Sequence, residues 1–157
     1  MLGALARWLR VLGVDTAYDP ALDDPELVAR SLAEGRTLLT RDRRLVERRA
    51  LDGRHLLIAS EVVDEQVRQV LDALALRPDP DDLFRRCLRC NAPLESVDPE
   101  AARRQVPPFV ARTQARFRRC PACDRLYWRG THARRMRRRL ERMGVVGSGD
   151  PAAPGEA

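Results

Sequence analysis

The four cysteines of the sequence form two C-x2-C pairs, Cys87 with Cys90 and Cys120 with Cys123. Each pair lets two thiolates reach one ion from a tight turn, and two such turns complete the tetrahedral S4 site that Zn²⁺ takes in structural sites. The gap between the pairs, residues 91–119, is longer than in typical zinc sites. Two disulfides or an iron–sulfur cluster are the alternatives. Nothing at the N-terminus resembles a secretory signal, so we expect a reducing, cytoplasmic setting, which favours structural zinc over disulfides.

Two aspartates form a second set of residues whose side chains could take part in catalysis. Asp42 follows a short apolar strand predicted at residues 37–40, and open α/β sheets bind ligands at the carboxyl ends of their strands. Asp24 lies at the start of a predicted helix and could face the same crevice. Carboxylates that converge without histidines suit hard cations such as Mg²⁺ or Mn²⁺, which activate water for phosphodiester cleavage. A helix N-cap is the alternative role for each aspartate.

Arginine supplies all 29 basic side chains, since the chain contains no lysine. Residues 1–83 carry 12 Arg against 16 Asp and Glu, whereas residues 84–157 carry 17 Arg against 7. This asymmetry predicts carboxylate chemistry in the first part and polyanion binding in the second. The planar fork of Arg suits phosphate, although GC-rich coding would explain most of the preference for Arg. We expect contacts to nucleic acid from Arg41, Arg118, Arg129, Arg134, Arg135 and Arg138.

Three aromatic residues, Phe117, Tyr127 and Trp128, are interleaved with the arginines around the second cysteine pair. Aromatic rings stack on unpaired bases while guanidinium groups hold phosphates, so the pattern favours RNA, and single-stranded RNA in particular. A core position is the alternative, and for Phe117 it is the favoured one. For the arginine-rich helix near the C-terminus, a merely solvated face is the alternative.

Hydrophobic periodicity predicts the elements that position these residues. Helices are predicted at 2–12, 24–34, 42–51 and 62–76, with Asp24 as the N-cap of the second, and strands at 14–18, 37–40 and 55–59. Alternating strands and helices predict an α/β fold with a short parallel sheet. A Pro-rich linker at 77–82 precedes a strand near 94–97, a helix at 99–105, an extended segment at 106–109, a basic helix at 131–143 and a disordered tail at 144–157. No apolar run reaches the roughly 18 residues of a transmembrane helix.

Several stretches together resemble the Mut-seven C-terminal RNase domain family: MLGALARWLR at 1–10, DPEL at 24–27, EGRTLLTRD at 34–42, the cysteine pairs with VPP at 106–108 between them, and YWRGTH at 127–132. The resemblance covers residues 1–143. It implies a three-layer PIN-like nuclease domain over 1–78 and a zinc ribbon over 84–143. By this resemblance Asp24 and Asp42 belong to a site for catalytic Mg²⁺ or Mn²⁺. Glu61 is a further acidic candidate, with a solvated loop carboxylate as the favoured alternative.

The resemblance also implies a strand carrying a first catalytic Asp immediately before the Met-Leu-Gly segment with which this sequence begins. We therefore expect a sheet without its first strand, a metal site without one carboxylate, and weak or absent nuclease activity from this polypeptide. Two other functions compete with a metal-dependent ribonuclease. One is a non-catalytic RNA-binding module, and the other is a protein-interaction adaptor, for example on the ribosome.

Overall fold

The computed structural model describes residues 2–47, 51 and 53–147, which form a mixed α/β protein with two small sheets. The chain divides into two compact units. Unit 1 comprises Met1–Ala6 and Tyr18–Arg77, and unit 2 comprises Arg7–Ala17 and Pro78–Ala157. The first helix, α1 (Gly3–Val11), contributes residues to both units. Unit 2 therefore includes residues 7–17 as well as the cysteine-bearing region, which the sequence predicts as a domain on its own.

Unit 1 contains a parallel pair of strands, β1 (Leu38–Thr40) and β2 (His55–Leu57), with Leu38 opposite His55 and Thr40 opposite Leu57. Its helices are α2 (Asp24–Glu34), α3 (Arg43–Val46) and α4 (Val63–Ala73). The predicted alternation of helices with parallel strands is confirmed, and the sheet has two strands within the described residues. Because the strands are parallel, their carboxyl ends lie at the same edge.

The core of unit 1 is a cluster of buried aliphatic side chains from α2, β1, α3 and the segment before β2: Val28, Leu38, Leu45 and Leu51. Helix α4 buries Val67, Val70 and Leu71, as its periodicity predicts. Gln69 on α4 binds the edge of β2, since its Nε2 donates to Leu57 O at 2.7 Å and its Oε1 accepts from Ala59 N at 3.0 Å. This side chain satisfies backbone groups that would otherwise be open to a further strand.

Unit 2 contains an antiparallel sheet in the order β3 (Glu95–Val97), β4 (Phe117–Arg119), β5 (Leu126–Trp128). Its remaining helices are α5 (Pro99–Arg103), α6 (Pro108–Thr113) and α7 (Thr131–Arg142), and a 3-10 turn spans Pro80–Asp82. Phe117 is 3% exposed and packs edge-on against Trp128 with ring centroids 6.5 Å apart, which confirms its core position. Met136 and Leu140 of α7 are also buried.

Two predicted local structures are wrong. Residues 14–18 form no strand because their backbone groups have other partners: Val14 N donates to Leu9 O at 2.9 Å, and Thr16 N donates to Asn91 Oδ1 at 3.0 Å. Residues 106–109 are not extended throughout, since Pro108 begins α6. The fixed φ of proline suits the first turn of a helix, where its missing N–H is not needed.

Other differences lie at the ends of helices and strands, and β2 in particular ends at Leu57 rather than at residue 59. The helix predicted over 42–51 corresponds to α3, which ends at Val46, and residues 48–50 lie outside the described residues. At the end of α7, Gly144 takes a φ of 72°, Val145 N donates to Leu140 O at 3.2 Å, and Val146 is buried. Residues 144–147 thus close the helix, and the rest of the predicted tail, 148–157, lies outside the described residues. No helix within the described ranges is both long and apolar enough to cross a membrane.

Candidate functional site

Two turns of the same construction carry the four cysteines. In each turn the first cysteine donates its N–H to the carbonyl five positions later and accepts from the N–H four positions later, at 2.9–3.0 Å, in Cys87–Ala92 and in Cys120–Arg125. The residue that follows each pair has a positive φ, 71° at Asn91 and 59° at Asp124. Both turns therefore aim two thiols at one point by the same backbone geometry.

The four sulfur atoms converge. All the Sγ atoms lie within 4.8 Å of one another, and two short separations join the two turns: 3.6 Å from Cys87 to Cys123 and 3.3 Å from Cys90 to Cys120. Tetrahedral Zn–S bonds of about 2.3 Å place sulfurs about 3.8 Å apart, whereas a disulfide needs about 2.05 Å. All four cysteines are free thiols in the structure. The predicted ligand set is thus brought together, and it could hold a zinc ion.

Tyr127 supports Cys87 from β5. Its Oη lies 3.1 Å from Cys87 Sγ and accepts a hydrogen bond from Leu88 N at 3.2 Å. Burial raises the pKa of the Cys87 thiol, but hydrogen bonds from Tyr127 and from the backbone of Cys90 and Arg89 outweigh it, so the pKa falls to about 6. Burial and the neighbouring Cys87 raise the pKa of Tyr127. The hydroxyl therefore stays protonated and stabilises the thiolate, the form that binds metal.

Arg10 holds the first cysteine turn from α1, and it is only 4% exposed. Its Nη1 donates to Leu88 O at 3.0 Å and Arg89 O at 2.9 Å, and its Nε donates to Thr16 O at 2.9 Å. Burial lowers the pKa of Arg10, while the nearby thiols of Cys87 and Cys90 act in the opposite direction. The sequence gives no local signal for this role, because Arg10 and Leu88 are 78 positions apart.

Asp42 and Glu61 follow β1 and β2 at the shared carboxyl edge of the parallel sheet. Asp42 Oδ1 accepts a hydrogen bond from Arg44 N at 2.8 Å, so Asp42 is the N-cap of α3. This is the alternative role that the sequence predicts for it beside that of a metal ligand. Glu61 is 83% exposed and its Oε1 lies 2.9 Å from Arg41 Nη2. Arg41, a predicted nucleic-acid contact, is therefore already paired with a carboxylate.

Asp24 is not the N-cap of α2, and the prediction that it caps this helix is wrong. Asp23 is the cap: its Oδ1 accepts from Glu26 N and Glu26 Oε2 accepts from Asp23 N, both at 2.9 Å. This reciprocal pair is a capping box, which the Asp-x-x-Glu spacing could have revealed. Asp24 is the first helical residue, is exposed, and has no hydrogen-bond partner for its carboxylate among the described residues.

The structure does not gather the two aspartates into a larger ligand set. Within the described part of the chain, the four cysteines are the one group of three or more side chains that could hold a metal ion. Asp24 and Asp42 belong to no such group. Their carboxylate oxygens are of the donor type that Mg²⁺ and Mn²⁺ need, and their role as ligands stays a prediction.

Unit 2 also contains a cavity of about 520 Å³. Among the described residues, its lining includes no Asp or Glu and six arginines: Arg7, Arg89, Arg116, Arg118, Arg125 and Arg129. Phe84, Tyr127 and Trp128 line it as well. The predicted contacts Arg118 and Arg129 thus lie together in one concave surface. Arg7 and Arg89 reach the cavity from distant segments and Arg116 lies two positions before Arg118; local patterns in the sequence predict none of these three contributions.

The predicted arginines of α7 lie on its outer face. Arg134, Arg135 and Arg138 are exposed, and none of them pairs with a carboxylate of the described residues. Two other arginines of this helix differ, since Arg137 Nε lies 3.1 Å from Glu141 Oε1 and the Arg139 guanidinium lies 5.0 Å from the centre of the Trp8 ring. Part of the helix therefore uses arginine for packing, and part presents uncompensated charge.

A family model described as the Mut7-C RNAse domain matches residues 1–140. The chain belongs to the Mut7-C RNAse domain family. Membership indicates a nuclease-like function with RNA as the substrate class. A search of curated proteins and a search of solved structures each found no match.

The match to the Mut7-C RNAse domain spans both candidate sites. It includes the carboxylate edge of unit 1 with Asp24 and Asp42, all four cysteines, and the exposed arginines of α7. The resemblance to this family that the short motifs indicate is therefore confirmed over nearly the whole described chain. The cysteine cluster and the arginine cavity are the two features of this Mut7-C chain in which the structure brings several predicted residues together.

Proposed function

We propose that this Mut7-C protein is a metal-dependent ribonuclease in which unit 2 is a zinc ribbon that binds single-stranded RNA and unit 1 is a PIN-like domain that supplies catalytic carboxylates. The observation that carries the proposal is the set of unit 2 arginines with no carboxylate partner among the described residues. We place the protein in a reducing, cytoplasmic setting, because a four-thiolate zinc site needs reduced cysteines.

RNA capture rests on uncompensated positive charge. Arg134, Arg135 and Arg138 lie within five residues on one helix, and like charges at this spacing destabilise a helix unless an anion is near. A phosphate backbone supplies such anions at a regular spacing, and Arg binds phosphate through two parallel hydrogen bonds. Arg41 has a weaker claim to this role because Glu61 already holds it.

Zinc would bind at Cys87, Cys90, Cys120 and Cys123, and it would fix the two turns against each other. Mg²⁺ or Mn²⁺ would bind at Asp24 and Asp42, and such an ion supplies a Lewis acid that makes a coordinated water acidic. Asp24 offers both carboxylate oxygens, and Asp42 offers the oxygen that does not cap α3. The chain's own contribution is to hold these donors on the first turns of two helices.

The test is a cleavage assay on labelled single-stranded RNA with added Mn²⁺ or Mg²⁺. We expect weak cleavage by the unmodified chain, because the resemblance implies a further catalytic Asp that this sequence lacks, and we expect Asp24→Asn and Asp42→Asn to lose that cleavage while Asp23→Asn retains it. The control is closely matched because Asp23 adjoins Asp24, the charge change is the same, and Asn caps a helix about as well as Asp. Equal cleavage by all three variants, or cleavage without a divalent ion, would refute the proposed site.

A second candidate function is a non-catalytic RNA-binding protein. It is favoured by the position of Asp42 as the cap of α3 and by the lack of a third oxygen ligand beside the two aspartates within the described residues. In that case the wild-type chain binds RNA without cutting it, and Asp24→Asn leaves the affinity unchanged. The same variants therefore separate the two functions when binding and cleavage are measured in parallel.

A further inference from the structure

The cavity of unit 2 concentrates positive charge that nothing in the described residues neutralises. None of its six arginines pairs with a carboxylate there, whereas five other arginines of unit 2 each do: Arg85, Arg86, Arg103, Arg119 and Arg137. Arg118 lies near Arg129 in this lining and near Arg85 beside it. Crowded guanidinium groups on a concave surface favour a bound anion.

Aromatic side chains line the same cavity in fixed positions. Phe84 has a φ of 58°, which is rare for a bulky residue, and its backbone is held there because Phe84 N donates to Val11 O at 2.9 Å. Backbone strain of this kind concentrates at ligand sites. Trp128 packs against Phe117, and a Cβ at Gly130 would lie 2.9 Å from Trp128 Nε1, so a glycine is needed beside the indole. Both rings are preorganised for stacking.

The first turn of α7 adds hydrogen-bond donors to the cavity wall. Gly130 is the N-cap and provides no side-chain cap, while Thr131, His132 and Ala133 of the first turn line the cavity. Uncapped N–H groups at the start of a helix favour anionic groups such as phosphate. They supplement the arginines, which supply most of the charge.

The volume of the cavity sets the size of the ligand. At about 520 Å³ it lies within the roughly 300–1,000 Å³ of pockets that enclose one small ligand. A duplex does not fit such a space, and its stacked bases would not be available to the aromatic rings. A phosphate alone would leave the aromatic part of the lining without a partner.

We propose that this cavity binds one unstacked nucleotide of single-stranded RNA, with its phosphate on the arginines and its base against Phe84 and Trp128. The proposal rests on the proposed function for the identity of the ligand, and it does not require cleavage. It implies that unit 2 selects single-stranded RNA over duplex by enclosing one base, in addition to the general attraction of the α7 surface for phosphate.

The experiment measures binding of a short single-stranded RNA that carries one 2-aminopurine, with no Mg²⁺ or Mn²⁺ added. Stacking on an aromatic ring quenches this base, so emission reports its environment directly. Phe84→Gly is the decisive variant, because glycine removes the ring and accepts a positive φ without strain, and a urea unfolding curve shows that the variant is folded under the binding conditions. Arg116→Gln with Arg129→Gln removes phosphate contacts at two exposed cavity positions. Arg104→Gln with Arg112→Gln is the matched control, at exposed positions of unit 2 outside the cavity.

We expect Phe84→Gly to weaken binding by about 5- to 150-fold, the range for loss of one base–aromatic stack, and to reduce the quenching. The cavity pair of Arg→Gln changes should weaken binding by at least about 10-fold, and the control pair by less than about 3-fold.

Three results would overturn the inference. The first is wild-type affinity and quenching in Phe84→Gly, with binding lost only on changing Arg134 and Arg138 of α7. The second is equal competition by inorganic phosphate and by adenosine monophosphate, which would show that the base contributes nothing to binding. The third is equal affinity for single-stranded and duplex RNA. If cleavage fails with Mn²⁺ while cavity binding behaves as expected, the ribonuclease proposal fails and this one stands.

Discussion

Replacing Arg10 with Met tests whether a buried guanidinium holds the first cysteine turn in place. Arg10 is 4% exposed and donates three hydrogen bonds to carbonyl oxygens, two of which belong to Leu88 and Arg89 between the first pair of cysteines. Methionine preserves much of the volume and the apolar stem but leaves those three carbonyls without a donor. The expected result is a large loss of stability in unit 2 and weaker zinc binding.

The magnitude follows from the number of contacts. Hydrogen bonds from a charged group contribute about 1.5–3 kcal/mol each, and removal of one partner from a buried charged network costs about 3–5 kcal/mol. We expect Arg10→Met to lower the free energy of unfolding by about 3–5 kcal/mol rather than by the sum of three bonds, because water can reach part of the exposed turn at Arg89. Partners that orient metal ligands typically change metal affinity by about 10- to 100-fold. A similar loss of zinc affinity is expected here, since Arg10 also lies near the thiols of Cys87 and Cys90.

The assay combines urea unfolding of the zinc-loaded chain with chelator competition for zinc. Arg7→Met is the control, because Arg7 lies on the same helix, is exposed, and should change stability by less than about 0.5 kcal/mol. Arg10→Lys separates charge from hydrogen bonding, since it keeps the positive charge but loses the planar fork, and we expect partial recovery of zinc affinity with little recovery of stability. Equal stability and zinc affinity of Arg10→Met and Arg7→Met would refute the reasoning.

Further predictions concern the cysteine turns. The wild-type chain should bind one zinc ion, and Cys120→Ala should bind none under the same conditions by metal analysis; retained stoichiometric zinc would contradict the four-thiolate site. Tyr127→Phe removes the hydroxyl 3.1 Å from Cys87 Sγ and should weaken zinc binding by about 10-fold, measured by chelator competition, with an unchanged affinity as the contrary result. Asp124→Gly should be neutral or stabilising by up to about 1 kcal/mol, because its φ of 59° suits glycine and its ion pair with Arg119 is exposed. Asn91→Gly should destabilise by about 1–2 kcal/mol despite the same backbone geometry, because the Asn91 side chain bonds Thr16 N and Asp15; unfolding curves that rank the two variants in the opposite order would contradict this account.

Local patterns in the sequence predicted the elements that depend on neighbouring residues. Each cysteine pair is positioned by a turn whose hydrogen bonds lie within six residues, and α2 ends at Gly35 because a φ of 64° there suits glycine. The same local patterns mislead at one position, since they predict Asp24 rather than Asp23 as the cap of α2. Two adjacent aspartates precede Pro25, and only the spacing to Glu26 distinguishes the residue that completes the capping box.

Contacts between distant segments could not be predicted from local patterns. The strand expected at residues 14–18 has suitable residue types, but its backbone N–H at Thr16 is taken by a side chain 75 positions later. The same region of the chain supplies Arg10, which the periodicity of α1 places on a helix without showing that it faces a set of carbonyls. Tertiary hydrogen bonds override local propensity at both positions.

The use of arginine for every positive charge conceals three different functions, and the partner of each side chain separates them. Arg10 donates to backbone carbonyls and Arg139 lies over an indole ring, and at both places a planar cation packs better than an ammonium group. Arg103 and similar residues pair with carboxylates on the surface, where each pair contributes little. The cavity arginines and the outer face of α7 have neither kind of partner among the described residues, so mutual repulsion opposes folding there and a bound polyanion would relieve it. Composition predicts the total charge, but only the assignment of partners shows that six arginines without a carboxylate among the described residues line one cavity, and that three more lie on the helix that begins at its wall.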